Sequence, residues 1–193
     1  MQALLVIDME QGFLNADRSE RNNPDAEKNI LKLMDYFRET KQPIIHIQHL
    51  STDPHSAFFT EEGYQFMEGF EPHPGEKVFQ KHVNSAFIGT NLEEYLHEEG
   101  ICRLVITGLT LPHCVSTTTR MAGNLGFETT LISDATATFA LKDILDNWID
   151  AEELHQSHLA ALNEEFAKVM SCEEFLRVID KKENEIDYTG TRK

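Results

Sequence analysis

Leu104-Val105-Ile106-Thr107-Gly108-Leu109-Thr110-Leu111-Pro112-His113-Cys114-Val115 is the stretch that decides the fold. A short apolar run ends at a glycine and a tight loop follows. A cysteine then stands at the head of a segment that reads as a helix, Val115 to Asn124. Helix N-termini carry unpaired N–H groups and positive partial charge, which favour a thiolate over a thiol. A strand–turn–helix that lifts a nucleophile above a sheet edge is a recurring hydrolase construction.

Outward from this unit, strands and helices alternate. Leu4–Ile7 is wholly apolar, as a strand buried on both faces is. Asp25–Glu39 sets Ile30, Leu33, Met34 and Phe37 on one helical stripe. Pro43 precedes a second strand, Ile44–Ile47, and Lys77-Val78-Phe79 is a weak third. Thr90-Asn91-Leu92-Glu93 matches a capping box and opens a helix that stops at Gly100. Leu104–Thr107 and Thr129–Ile132 are the fourth and fifth strands. Trp148, His155, Leu159, Leu162 and Phe166 recur at helical spacing and predict one long helix. Ala167–Met170 is a short sixth strand, and Ser171-Cys172-Glu173-Glu174 caps a last helix. Residues 51–76, rich in Pro, Gly, His and Phe, form a long excursion of the kind that carries function. The alternation predicts an α/β fold: a three-layer αβα sandwich around a parallel sheet of about six strands. One domain spans 1–182, and 183–193 is a charged tail.

Composition narrows the function. The chain has 193 residues, 40% of them hydrophobic, and no apolar run approaches the ~20 residues of a membrane span. No basic, small-residue leader precedes the first strand, and three widely spaced cysteines make neither a disulfide framework nor a zinc pattern. Cytoplasmic residence is expected. A net charge of −16 argues against nucleic acid and anionic membrane as partners. Glu93-Glu94, Glu98-Glu99, Glu152-Glu153 and Glu164-Glu165 read as solvated helix faces. No Gly-x-Gly-x-x-Gly follows the first strand, which removes a dinucleotide site.

In parallel sheets, ligands bind beyond the carboxyl ends of the strands. Asp8 follows the first strand, Lys81 the third and Cys114 the fourth, so all three are expected to face one crevice. A carboxylate near a thiol can take its proton, and an ammonium nearby lowers the thiol pKa and holds the carboxylate. Backbone N–H groups at the helix start can receive an oxyanion. Taken singly, the aspartate reads as a turn residue, the lysine as a surface charge and the cysteine as core. Cys102 and Cys172 fit that core role better.

The chain resembles the isochorismatase-like cysteine hydrolases, a family that includes nicotinamidases, N-carbamoylsarcosine amidases and ureidoacrylate-type amidohydrolases. The resemblance runs from Leu4 to about Val169. It rests on Leu5-Val6-Ile7-Asp8-Met9 with Phe13, and on Pro74-Gly75-Glu76 with Lys81 and Ser85-Ala86-Phe87-Ile88-Gly89-Thr90-Asn91-Leu92. It rests further on Gly108 with Cys114-Val115, Thr118, Ala122 and Gly126-Phe127, and on Asp134-Ala135. It implies a Rossmann-like layered fold, a catalytic triad of Asp8, Lys81 and Cys114, and a cis peptide at Leu109–Thr110. It also implies an oxyanion hole made by the amides of Thr110 and Cys114, and a homodimer or homotetramer.

Three departures stand out. Glu10 replaces the Gln usual in Asp-x-Gln; it either perturbs a local pKa or points the other way. Leu111 replaces a Thr, with Pro112 stiffening the loop in compensation. His113 either contacts substrate or is a partly buried loop histidine. Asp134 reads as a turn carboxylate that caps amides. Among the phenylalanines, Phe13 and Phe87 favour core packing, and Phe58 and Phe59 favour pocket or subunit contact. The candidate substrate pocket is Phe13, His49, Phe58 and His113.

No cofactor is expected. Asp53, His55 and His73 have the ligand types of a metal-dependent nicotinamidase site. The tryptophan and downstream proline of that motif are missing, and His46-Ile47-Gln48-His49 resembles the metal-free branch. The leading expectation is therefore a cysteine hydrolase cleaving a C–N bond of a small amide or ureido compound through a Cys114 thioester. The alternatives are a metal-dependent nicotinamidase-type amidase, isochorismatase proper (a vinyl ether hydrolysis with no need of a thiol), and a non-catalytic binding or assembly protein on the same fold.

Overall fold

The computed structural model describes residues 1–14 and 18–179. Eight strands run β1 Gln2–Ile7, β2 Ile44–His49, β3 Lys77–Lys81, β4 Arg103–Leu109, β5 Glu128–Ala137, β6 Leu141–Lys142, β7 Trp148–Ile149 and β8 Lys168–Met170. Five α-helices run α1 Ala26–Glu39, α2 Glu61–Tyr64, α3 Leu92–Glu98, α4 Ser116–Asn124 and α5 Ala151–Leu162. A further helical run covers 172–179. Six strands form one parallel sheet in the order β3-β2-β1-β4-β5-β8. The chain winds outward from β1 to β3, then crosses to β4 on the other side of β1. That reversal opens a crevice beyond the carboxyl ends of β1 and β4, where open α/β sheets take their ligands.

Alternating side chains feed two cores. Leu5, Ile7, Ile45, Ile47 and Ile106 pack against Leu92 and Leu96 of α3, Ala122 of α4 and Leu159 of α5. Leu4, Val6, Ile44 and Val105 pack against Ile30, Leu33, Met34 and Phe37 of α1, with Cys172 and Phe175 of the last helical run. Burial on both faces explains why the central strands are continuous apolar runs, and it makes the fold a three-layer αβα sandwich. Glu76 ties layers together: it accepts from Arg38 of α1 at 2.8 Å and lies 2.8 Å from His46 Nε2 of β2. Asp134 Oδ1 accepts from the amide of Cys172 at 2.7 Å, capping the helical run that begins there.

Several elements differ from the sequence reading. β5 reaches Ala137, so Asp134 lies inside the strand. Thr90 makes no capping box: its hydroxyl donates to the Ala86 carbonyl and accepts from Leu92 N, while Asn91 precedes α3 without a side-chain cap. Trp148 is not helical. It pairs with Lys142 in a short antiparallel ribbon, and the helix starts only at Ala151, because the Asp150 carboxylate caps Glu152 N and Glu153 N. Phe166 lies beyond α5, which ends at an extended Asn163 and a left-handed Glu164. The charged tail 183–193 lies outside the described residues, as do residues 180–182.

Candidate active site

The site begins at a close approach of two backbones. Gly108 of β4 pairs with Ile7 of β1 and has φ 119°; a side chain there would run into the Ile7 carbonyl oxygen. Glycine therefore lets β4 pass hard against β1 and turn. The Leu109–Thr110 peptide that follows is cis. Asp8 leaves β1 with φ 53°, a left-handed conformation that aspartate tolerates. Lys81 ends β3 beside His49 of β2. Asp8, Lys81 and Cys114 thus meet under the crevice, all three buried.

Lys81 organises the cluster. Its Nζ lies 2.7 Å from Asp8 Oδ2, 2.9 Å from His49 Nδ1 and 3.2 Å from Cys114 Sγ, one partner for each ammonium hydrogen. His49 accepts through Nδ1, so its proton sits on Nε2; burial, then the Lys81 charge, push its pKa down and keep the ring neutral. Burial pulls the Lys81 pKa down, but Asp8 and Cys114 outweigh it and the net direction is up. Among the described residues, buried Asp8 Oδ1 has no hydrogen-bond partner, which leaves this oxygen open to the thiol.

The thiol corrects one expectation. Cys114 lies in a π-helical turn, Leu111–Val115, ahead of α4. Burial pushes its pKa up, the Asp8 charge adds to that, and Lys81 only partly offsets them. That direction favours the thiol, whereas the helix terminus and the lysine favour a thiolate. Thr110 precedes the turn; its hydroxyl lies 3.0 Å from His113 Nδ1 and its carbonyl accepts from the amides of His113 and Val115.

Glu10 does not point away from the site. It is fully buried; Oε1 accepts from His49 N at 2.5 Å and Oε2 has no partner among the described residues. Burial, then the Asp8 charge, raise its pKa to about 9, so it is a neutral acid at pH 7.

Above the cluster opens a cavity of about 550 Å³ lined by Asp8, Thr110 and Cys114. Phe13, His49, Phe58 and His113 all line it. Phe13 and Phe58 pack at 4.7 Å between ring centroids, and Phe58 packs on His49 at 5.8 Å. Phe13 thus serves the pocket, while Phe87 lies in the core against Phe127. The sequence reading missed Arg18, Phe139 and Trp148, which complete the wall. No spacing in the sequence signals them, since three distant segments supply the parts.

Asp53, His55 and His73 are exposed. Asp53 Oδ1 accepts from the amide of His55 in a turn, and the amide of His73 donates to Glu76. Among the described residues they join no three-ligand group; Asp8, His49 and Cys114 do, with ligand atoms within 4.8 Å. The Lys81 ammonium already sits among those three donors, so they do not fit a metal as arranged.

A family model described as the isochorismatase domain matches residues 2–174. The isochorismatase family protein YrdC of Bacillus subtilis is 48% identical over 176 residues, 91% of this chain and 94% of the relative. A hydrolase of the isochorismatase family from Chromobacterium violaceum superimposes with a TM-score of 0.89 at 38% identity, covering 93% of this chain and 94% of that one. Nicotinamidase 3 of Arabidopsis thaliana is 30% identical over 91% of this chain and 87% of its own length. The motifs, the sheet order and these likenesses agree, and the chain belongs to the isochorismatase family of hydrolases.

Proposed function

We propose that this hydrolase cleaves the C–N bond of a small amide or ureido compound through a thioester on Cys114. The observation that carries the reading is the Lys81 ammonium held between Asp8 and Cys114 at 2.7 and 3.2 Å, beneath a cavity of about 550 Å³. A relative named as a nicotinamidase supports the amide class.

As substrate displaces water, Asp8 Oδ1 takes the Cys114 proton and sulfur attacks the carbonyl carbon. Lys81 offsets the charge on sulfur and holds Asp8. The amides of Thr110 and Cys114 receive the oxyanion. The tetrahedral adduct collapses, the C–N bond breaks, and Asp8 returns the proton to the departing nitrogen. Water, deprotonated by Asp8, then attacks the thioester, releasing the acid and restoring the thiol. The high thiol pKa ties proton transfer to substrate arrival, which spares the resting sulfur from oxidation. No step passes through a metal. A homodimer or homotetramer in the cytoplasm belongs to the same reading; the exposed Ile144, Leu145 and Trp148 are the surface that favours a second copy.

The test is a panel of small amides and ureido compounds assayed for ammonia release, with hydroxylamine trapping of the acyl group and intact-mass analysis. The expected result is an acyl adduct on Cys114 in the wild type and none in C114A, with D8N slowed by about 10²–10⁴. Absence of any acyl adduct on Cys114 across the whole panel, with no ammonia released, would overturn the proposal in favour of a binding role.

A further inference from the structure

Arg18 carries a positive charge that the catalytic steps above leave unused. It lines the same cavity as Cys114 and Thr110. Its guanidinium carbon stands 4.8 Å from the Phe13 ring centroid, 5.1 Å from Phe139 and 5.6 Å from Phe58. Nε and Nη2 both donate to the Gly12 carbonyl, at 3.3 and 3.1 Å. Among the described residues no carboxylate pairs with it: the arginine ion pairs there are Arg21–Glu27, Arg38–Glu76 and Arg177–Glu173. Guanidinium offers five N–H donors, so the Nη1 edge has hydrogens left over.

Three rings surround the group, and two bonds to one carbonyl fix its direction. That is preorganisation, which lowers the entropy lost when a ligand binds. Stacking on aromatic rings alone is a weak hold on a partly exposed guanidinium. Against it stands the half-burial of a charge that no carboxylate among the described residues pairs. An anion entering the cavity supplies that counter-ion. The chain as a whole carries −16 and repels anions, so an anionic substrate needs a local cation inside the pocket. Lys142, another cation on the wall, is already engaged, 3.5 Å from Asp146 and 5.7 Å from the Trp148 ring.

Phe58 links the two ends of the cavity, touching Arg18 on one side and His49, next to Lys81, on the other. We propose that Arg18 is the specificity residue of this site and binds the carboxylate of a short amic acid, a chain with an amide at one end and a carboxylate at the other. The amide carbonyl lies at Cys114, the apolar spacer on Phe13 and Phe58, and the carboxylate across the free edge of the guanidinium, whose fork suits planar two-oxygen recognition. This rests on the amide-hydrolase reading for the end at Cys114.

The test separates binding from chemistry. In C114S, calorimetry compares malonamate, succinamate and glutaramate with the matching diamides, which differ only at the far end. For at least one spacer the amic acid is expected to bind tenfold or more tightly than its diamide. R18M, which keeps an unbranched stem against the rings, is expected to close that gap in the same background, and R18K to narrow it. If R18M melts early, the wild-type side chain and R18K still decide. Equal binding of acid and diamide at every length, or an undiminished gap in R18M or R18K, would overturn the proposal. Ammonia release by the Cys114 enzyme is read separately. Arg18-dependent binding with an inert Cys114 leaves the anion site standing and removes the hydrolase reading. Turnover of diamides and amic acids alike does the reverse.

Discussion

Asp8, Lys81 and Cys114 form a floor in which every charged group is buried and held by strand ends. Arg18, Phe58 and Trp148 form a wall made of a loop, the long excursion and a two-stranded ribbon. On the floor, positions are dictated by sheet register: Ile7 opposite Gly108, and His49 opposite Lys81. On the wall, nothing in the register dictates position, and the tip of the ribbon leaves Ile144 fully exposed. The contrast assigns the bond chemistry to the part that cannot move without unfolding the sheet, and substrate choice to the part that can change without disturbing it.

The largest test of that division is K81M. Removing the ammonium strands the Asp8 charge in the interior, and breaking a buried pair from one side costs about 3–5 kcal/mol. For a domain of this size that lowers the melting temperature by roughly 6–20 °C, and turnover disappears with it. Calorimetric melting of wild type and K81M checks this. A shift below about 2 °C would mean that the ion pair does not hold the floor.

Glu10 gives a subtler test. Its pKa of about 9 means the folded protein keeps a proton that the unfolded chain, at the ordinary 4.5, has released. Stability is therefore lost as pH rises from 4.5 towards 9, the opposite of a paired carboxylate. E10Q, which restores the residue of the family pattern, removes this loss. The two proteins are expected to melt together near pH 4.5 and to diverge by several degrees at pH 8, with E10Q the more stable. Activity is expected to follow: near pH 9 the wild type declines as a second charge forms beside Asp8, while E10Q lacks that limb. Superimposable melting curves across this range would show that Glu10 is ionised in the fold.

The floor is legible in the sequence because its determinants are local. Each apolar run marks a strand, and the residues at its end or in the loop just beyond mark the sheet edge, so Asp8, Lys81 and Cys114 can be placed before any contact is known. The sign of the thiol pKa is not legible, because burial is a tertiary quantity and here it outweighs the nearby lysine. The wall is less so. Arg18 draws its rings from positions 13, 58 and 139, which no spacing connects. Trp148 falls on the helical period of α5 by coincidence; what separates them is the Asp150 cap, one residue ahead of Ala151. Thr90 shows the converse, a matching motif whose hydroxyl goes instead to the preceding turn.

The smallest expected effect tests whether the wall stands alone. Ile144, Leu145 and Trp148 are 100%, 74% and 64% exposed on the ribbon that borders the cavity. A second copy covering them would brace the ribbon without touching the floor. In I144E/L145E, exposed substitutions of about 0.5 kcal/mol or less each leave the melting temperature within a few degrees. Sedimentation is expected to show a smaller assembly. KM for the best amide is expected to rise several-fold and kcat to stay within about twofold, the pattern of weakened ground-state binding with intact chemistry. An unchanged mass with an unchanged KM would make the ribbon a self-supporting wall. A fall in kcat with KM unchanged would break the division itself, since the ribbon would then be acting on the floor.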